Sequence, residues 1–97
     1  MLARYIGDFA PTAAEVSVGG RVTISKNREL SNAVVYLTDS NGATRSARTN
    51  QFGYYRFNEV ESGETYMLNV SSKRFTFVPQ IVSVMDEINN LNFAAEE

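Results

Sequence analysis

The sequence contains no cysteine, no histidine and no tryptophan. Without cysteine there is no thiol catalysis, no disulfide and no thiolate metal site. Without histidine the chain cannot build a Ser-His-Asp or Cys-His arrangement, or a histidine-rich zinc site. The absence of cysteine permits export through an oxidising compartment but does not fix the location, because many cytosolic domains also lack it. The absence of tryptophan removes a common platform for stacking on sugars.

Other features are present only in small amounts. No apolar run approaches the roughly 20 residues that a membrane-spanning helix needs. The net charge of -2 is mixed in sign, which argues against a nucleic-acid partner and against a polybasic membrane surface. Residues 1–8 lack a basic stretch followed by an apolar one, so we do not expect a signal peptide in this segment. The length of 97 residues predicts one domain with a modest core.

Apolar residues alternate along most of the chain, which is typical of half-buried strands. The first alternating segment begins at Glu15, and Gly19-Gly20 within it predicts a bulge or kink. The next strand is predicted at residues 33–38 with Ala33, Val35 and Leu37 facing inward. A turn follows at residues 39–42, and residues 43–49 predict a charge-protected edge strand.

The second half of the chain centres on residues 49–57, a polar turn followed by an aromatic strand. We expect Tyr55 and Phe57 to face the core and to pack against Val35, Leu37, Leu68 and Phe93. Residues 59–64 are predicted as a connection anchored by Val60. Strands or strand stubs are then expected at residues 66–71, 75–79 and 81–84. After a turn at residues 86–87, the last strand is expected to contain Leu91 and Phe93.

These patterns predict an all-β fold with about seven short strands and no helix. We expect a seven-stranded antiparallel Greek-key β-sandwich with an immunoglobulin-like architecture. The domain should span residues 15–95, and residues 1–14 should form a linker or N-terminal extension, because Pro11 discourages regular structure there.

Several ordered landmarks carry a family resemblance: residues 20–23, 33–37, 49–57, 63–66, 72–80 and 91–93. In this order they resemble the carboxypeptidase regulatory-like domains of bacterial exported proteins, over residues 16–94. The resemblance implies a prealbumin/transthyretin-like sandwich, related in architecture to the Cna-B repeats of surface adhesins. It also implies a structural or accessory module without catalytic residues. The loop at residues 25–30 departs from the family pattern, since it lacks an Asp-Pro-Gly-like turn.

Four residues alternate with the inward-facing ones and are therefore expected to face outward, where they could form an interaction face: Tyr36, Tyr54, Arg56 and Met67. Aromatic side chains can stack on sugars or anchor a protein partner. The alternative is ordinary packing, with Tyr36 and Met67 under loops and Tyr54 in a cross-strand pair. No catalytic, cofactor-binding or metal-ligating residue is expected.

Two further chemistries are weaker alternatives. The turn at residues 39–42 resembles the opening of a calcium loop but lacks the later acidic ligand, which favours a plain turn. Lys26 and Asn92, with Glu59 or Glu61, resemble the isopeptide residues of Cna-B repeats. Amide formation needs an uncharged lysine in a dry core, whereas Lys26 falls in a polar loop.

Two functions from different classes remain open. The first is a non-catalytic spacer or protein-interaction module of a larger secreted or cell-surface bacterial protein. Its partners would be neighbouring domains of the parent chain, and it would be neither bound to nucleic acid nor inserted in a membrane. The second is a carbohydrate-binding module that uses exposed aromatic residues on one sheet face. No cofactor is expected for either.

Overall fold

The computed structural model describes residues 14–25 and 28–96, and this part of the chain contains seven β-strands and no α-helix. The strands form a three-stranded sheet of order β4-β1-β7 and a four-stranded sheet of order β3-β2-β5-β6. The predicted all-β sandwich is therefore confirmed. The strand bounds are β1 Glu15–Thr23, β2 Val34–Thr38, β3 Thr44–Arg48, β4 Tyr54–Glu61, β5 Glu64–Ser71, β6 Gln80–Val84 and β7 Phe93–Ala94.

β1 lies at the centre of the three-stranded sheet. It pairs antiparallel with β4, and its end pairs with β7 through Val22↔Phe93 and Thr23↔Ala94. The β1–β7 pair is parallel, so the expectation of a wholly antiparallel sandwich is wrong at this one pairing. The two paired strands are separated by residues 24–92 and not by a hairpin, and a connection of that length allows a parallel arrangement.

The register of the β1–β4 pair shifts between Val16 and Val18, where Ser17 alone lies opposite Asn58 and Glu59. The extra residue of this bulge therefore belongs to β4, and the bulge does not lie at Gly19-Gly20 as predicted. The two glycines instead allow the backbone of neighbouring segments to come close to β1. A Cβ at Gly19 would lie 2.6 Å from the Tyr55 carbonyl oxygen, and a Cβ at Gly20 would overlap the Leu91 carbonyl.

The four-stranded sheet follows the sequence pattern closely. Val35, Leu37, Leu68 and Val70 point inward and are at most 5% exposed. β2 pairs with β3 on one side and with β5 on the other, both antiparallel. The predicted edge position of residues 43–49 is confirmed, since β3 is the outermost strand on that side.

Three local predictions are wrong. β4 continues to Glu61 instead of ending at Phe57, and it passes through Glu59 at a φ of 58°. The connection to β5 is therefore only Ser62-Gly63. Residues 75–79 form no strand, although Phe77 is buried in the core. The last strand is two residues long, and Leu91 precedes it. Residues 1–13 and Lys26 lie outside the described residues.

The core lies between the two sheets. Tyr55 and Phe57 are buried as predicted, with an edge-to-face arrangement of their rings at a centroid distance of 6.0 Å. The Tyr55 ring also lies 6.3 Å from the ring of Phe93. The predicted neighbours Val35, Leu37 and Leu68 belong to the same buried cluster. Thr49 is buried as well: its hydroxyl donates to the Leu30 carbonyl at 2.7 Å and accepts from the Ala33 amide at 2.9 Å.

The two ends of the sandwich differ in charge. At the end where β1 begins, Glu15 is the register partner of Glu61, Glu59 lies near the end of β4, and Asp39, Glu64 and Asp86 follow or begin strands there. At the other end, β3 and β5 finish near Arg48, Lys73 and Arg74. The described chain begins at the acidic end, where Ser62 N donates to Ala14 O, and it finishes at the basic end, where Ala95 N donates to Thr23 O.

Candidate functional site

Tyr54 and Arg56 lie on the outer face of the three-stranded sheet, because they alternate along β4 with the buried Tyr55 and Phe57. Tyr54 is 50% exposed, and its ring has the Arg21 guanidinium 5.4 Å from its centroid. Arg21 is the register partner of Tyr54 in β1. Its other contacts are a hydrogen bond from Nε to the Phe52 carbonyl at 3.1 Å and an ion pair with Glu29 at 3.6 Å.

Arg56 is held in place by neighbouring polar groups on the same face. Its guanidinium donates to Ser17 Oγ at 3.0 Å and to Asn58 Oδ1 at 3.1 Å. It also forms an exposed ion pair with Glu87, with a nitrogen–oxygen distance of 3.8 Å. An exposed pair of this kind contributes little stability, so the network mainly fixes the orientation of the Arg56 side chain.

Tyr36 and Met67 lie on the outer face of the other sheet. Tyr36 of β2 is the register partner of Ser46 and Asn69, and Met67 of β5 is the register partner of Thr38 and Ile81. Their exposures are 39% and 44%. The four candidate residues are therefore divided between the two outer faces of the sandwich. A single interaction face that contains all four is ruled out, because β4 belongs to a different sheet from β2 and β5.

A groove lies beside Tyr54 and is called the Tyr54 groove below. It has a volume of about 450 Å³ and is lined by Gly19 and Gly20 of β1, by Tyr54 and Arg56 of β4, and by Asn89. Gly19 is the register partner of Arg56, so no side chain from β1 fills the surface opposite it. Arg48 and Asn50 also line this groove.

A second groove, the Arg74 groove, lies at the basic end of the sandwich. It has a volume of about 430 Å³, and residues 30–34, residues 71–75 and Arg48 line it. Arg48 therefore lines both grooves. Among the described residues, no Asp or Glu lines either of them. The charged side chains that line them are therefore all cations: Arg48 and Arg56 in the first groove, and Arg48, Lys73 and Arg74 in the second.

The acidic end has a smaller groove of about 230 Å³ with Tyr66 among its lining residues. The Tyr66 hydroxyl donates to the Glu61 carbonyl at 2.7 Å. Burial, followed by the charges of Glu64, Glu61 and Asp39, raises the pKa of Tyr66, while its bond to the Glu61 carbonyl lowers it. Asp39 is engaged locally, since its Oδ1 accepts from the amides of Asn41 and Ala43 at 2.9 Å.

The structure also places the residues of the two weaker alternatives, the calcium loop and the isopeptide bond. The turn at residues 39–42 closes as expected, with Gly42 at a φ of 89°. Within the described part of the chain, no three or more acidic side chains come together in a way that could hold a metal ion. Asn92 is exposed: its Oδ1 accepts from the Arg21 amide at 2.9 Å, and its carbonyl accepts from Gln80 Nε2 at 2.8 Å. It therefore does not lie in a dry core, which the isopeptide chemistry needs.

Arg48, Lys73 and Arg74 were not among the candidates from the sequence. Arg48 was interpreted only as protection of an edge strand. The adjacent cations Lys73-Arg74 are a visible signal, but their proximity to Arg48 depends on strand register. Val34 is the register partner of both Arg48 and Ser71, which brings the ends of β3 and β5 to the same corner of the sheet.

Comparisons with known proteins identify one domain family and several similar surface proteins. The model of the carboxypeptidase regulatory-like domain matches residues 17–96. A bone sialoprotein-binding protein and a serine-aspartate repeat-containing protein E, both from Staphylococcus aureus, are each 42% identical over 61 residues. That stretch is 63% of this chain and 5% of each relative, so the chain spans only a small part of their length.

Solved structures agree on the fold. The pilus adhesin RrgA from Streptococcus pneumoniae matches with a TM-score of 0.57 and 28% identity, over 74% of this chain and 9% of the adhesin chain. Chlorocatechol 1,2-dioxygenase from Pseudomonas putida matches with a TM-score of 0.54 and 11% identity, over 86% of this chain and 61% of the enzyme. The second likeness shows the fold alone. No helix among residues 14–25 and 28–96 is long and apolar enough to cross a bilayer.

Proposed function

The chain belongs to the carboxypeptidase regulatory-like domain family, and on that basis we propose that it is a non-catalytic spacer module in a larger exported surface protein. The observation that carries the proposal is the direction of the chain. β1 begins at one end of the sandwich, and β7 finishes, parallel to it, at the other end. Any flanking domains would then attach at opposite ends. At ~3.3 Å per residue, the nine residues of β1 span about 26 Å.

The same pairing supports a load-carrying role. If the flanking domains are pulled apart, β1 and the segment from Ile88 to Ala95 are drawn in opposite directions along their length. Hydrogen bonds between them then share the load in shear instead of opening one after another. They include Gly19 N to Ile88 O at 2.8 Å, Ile88 N to Ser17 O at 3.0 Å, Leu91 N to Gly19 O at 3.0 Å and Ala95 N to Thr23 O at 3.0 Å.

A place in a larger surface protein is supported by the relatives. This chain covers 5% of the staphylococcal relatives and 9% of the chain of a pilus adhesin, so similar modules occur inside much longer proteins. The same likeness supports an extracellular or cell-surface location. The partners in direct contact would be the neighbouring domains of the parent chain. Residues 15–95 would form the module, and residues 1–14 would be a linker or an N-terminal extension.

A non-catalytic role is supported by the chemistry of the titratable groups. Burial raises the pKa of both Tyr55 and Tyr66. Each of these phenols donates to a backbone carbonyl, which is a structural arrangement and does not present a general acid or base to a substrate. The grooves beside Tyr54 and Arg74 lack the paired carboxylates of a glycosidase in the described part of the chain.

The proposal is tested in the parent protein by replacing residues 15–95. One variant receives a flexible Gly/Ser segment of equal residue number, and a matched variant receives an unrelated β-sandwich whose ends also lie on opposite sides. The readouts are the height of the distal domain above the cell surface and the ligand binding of the parent. We expect the unrelated sandwich to restore the height and the flexible segment to fail. Loss of ligand binding with both replacements would instead assign an interaction role to this module.

A further inference from the structure

The Tyr54 groove and the Arg74 groove both include Arg48 in their lining. We propose that they form one continuous binding track for a linear acidic polysaccharide. The carboxylate or sulfate groups of this glycan would pair with Arg48, Lys73 and Arg74. Its sugar rings would lie against Tyr54 and the hydroxyl and amide groups of both grooves.

The cations of the track are available for a ligand. Arg48 and Ser71 lie on either side of Val34 in the register of the sheet, so Arg48 and the segment that carries Lys73 and Arg74 line one groove across the start of β2. The ion pairs found among the described residues are Arg21–Glu29 and Arg56–Glu87, and neither includes these three side chains. An arginine that has no carboxylate partner can bind a carboxylate or sulfate through two parallel hydrogen bonds.

Neutral donors and acceptors surround these cations. Ser31, Asn32, Ser71 and Ser72 line the Arg74 groove, and Asn50 and Asn89 line the Tyr54 groove. The Asn50 Oδ1 accepts from the amides of Phe52 and Tyr54 at 2.9 and 3.0 Å, which fixes the side chain beside the groove, and its amide group has a donor nitrogen to offer a ligand. A dense set of hydroxyl and amide groups suits a ligand that carries many hydroxyls of its own.

Tyr54 supplies the aromatic surface. Half of its side chain is exposed, and the Arg21 guanidinium lies near its ring at 5.4 Å from the centroid, which helps to fix the ring. A fixed and exposed aromatic ring is a suitable platform for the apolar face of a pyranose. We assign a glycan instead of an acidic peptide, which a cluster of arginines can also bind, because the Tyr54 ring and the neutral hydroxyl and amide groups of both grooves match a sugar.

Arg56 has a different role in the track. Its bonds to Ser17 and Asn58 and its ion pair with Glu87 hold the side chain against the sheet. Glu87 also partly offsets its charge. Arg56 therefore shapes the Tyr54 groove, whereas Arg48, Lys73 and Arg74 provide most of the attraction for an anion.

The test measures binding of the 97-residue chain to chondroitin sulfate, poly-L-glutamate and neutral dextran by isothermal titration calorimetry. We expect chondroitin sulfate to bind with a Kd of about 100 μM or tighter at low salt. Raising NaCl from about 50 to about 200 mM should weaken it about tenfold, because salt screens the exposed charges. Neutral dextran should not bind. Poly-L-glutamate that binds as tightly as chondroitin sulfate would overturn the glycan assignment in favour of an acidic protein segment.

Variants locate the site. Arg48→Ala should weaken chondroitin sulfate binding about fivefold to tenfold, since it removes a charged hydrogen-bonding group from both grooves. Arg28→Ala is the matched control, because Arg28 is an exposed cation in the sequence before β2 that lines neither groove. Thermal unfolding of both variants verifies that they remain folded. Equal weakening by the two substitutions would mean attraction by overall charge only and would overturn the proposed track, as would an absence of binding at low salt.

Discussion

The Tyr55 hydroxyl donates a 2.6 Å hydrogen bond to the Leu91 carbonyl oxygen, which lies 36 positions later in the chain. This bond joins β4 to the segment that leads into β7, across the glycines of β1. It also satisfies the polar atom of a tyrosine that is only 4% exposed. The outer strands of the three-stranded sheet are therefore connected to each other as well as to β1.

Removing this bond should have a measurable cost. Tyr55→Phe should lower the free energy of unfolding by about 1 kcal/mol, because it leaves the Leu91 carbonyl without the phenol. Urea unfolding gives the value. Tyr54→Phe is the matched control and should change stability very little, since the Tyr54 ring is half exposed. If the two substitutions cost the same, the Tyr55–Leu91 bond contributes no net stability.

Truncation of the two inward aromatic residues should cost more. Tyr55→Ala and Phe57→Ala should each lower the free energy of unfolding by roughly 3 to 5 kcal/mol, as large aromatic truncations in cores do. Both side chains are at most 4% exposed and pack edge to face. Tyr54→Ala in the same strand serves as the control. A loss under about 1 kcal/mol for both core variants in urea unfolding would be incompatible with their burial.

Gly20→Ala should be among the most damaging single-methyl additions. The new Cβ would overlap the Leu91 carbonyl, so the backbone of β1 or of the segment before β7 must move. Such overpacking costs about 3 kcal/mol. At Gly42 a Cβ meets nothing within 4 Å, so Gly42→Ala should cost only about 1 kcal/mol from its positive φ. Chemical unfolding of both variants compares them, and a similar loss for the two would contradict the tight contact at Gly20.

The buried hydroxyl of Thr49 allows a test of how much its two hydrogen bonds contribute to stability. Thr49→Val keeps the shape of the side chain but leaves the Ala33 amide and the Leu30 carbonyl without the hydroxyl. We expect a loss of about 2 kcal/mol in the free energy of unfolding. Thr44→Val is the control, because the Thr44 hydroxyl bonds Thr38 on an exposed surface. Urea unfolding in which Thr49→Val proves no worse than Thr44→Val would refute the structural role of Thr49.

Alkaline pH should destabilise the fold through Tyr55. Burial raises the pKa of this phenol above its usual value of 10.0. Above pH ~10 the unfolded chain releases this proton while the folded chain keeps it, so the stabilising contribution is complete below pH ~10 and is lost as pH rises further. Unfolding midpoints measured from pH ~8 upward should fall beyond pH ~10. Tyr55→Phe should show a shallower fall, and an unchanged slope in that variant would exclude Tyr55 as the source.

The sequence predicted the parts of the fold that depend on alternation within one strand. Val35 and Leu37 in β2, and Leu68 in β5, are buried because side-chain direction alternates with every residue. The parallel pairing of Val22 with Phe93 has no local signal, because β7 is two residues long and its partner is far away in the chain. The continuation of β4 through Glu59 was missed because a glutamate at positive φ is uncommon and nothing nearby in the sequence marks it.

The candidate site was less predictable than the fold. The alternation along each strand correctly predicted that the side chains of Tyr36, Tyr54 and Met67 are exposed. Alternation does not say, however, which sheet a strand joins. That assignment divided the four candidates between two faces. The grooves depend further on the register that brings Arg48 and residues 71–75 to the same end of the sheet, and register is fixed by pairing between strands.

The central position of β1 has a consequence for the order of folding. β1 is the first strand of the described chain, yet Val22 and Thr23 receive their second neighbours only from Phe93 and Ala94, about 70 positions later. A chain that emerges with its N-terminus first therefore cannot complete the three-stranded sheet until nearly all of the domain has followed. Until then, one edge of β1 stays open to other strands. Contacts this distant also make folding slow compared with that of a helical domain of similar length.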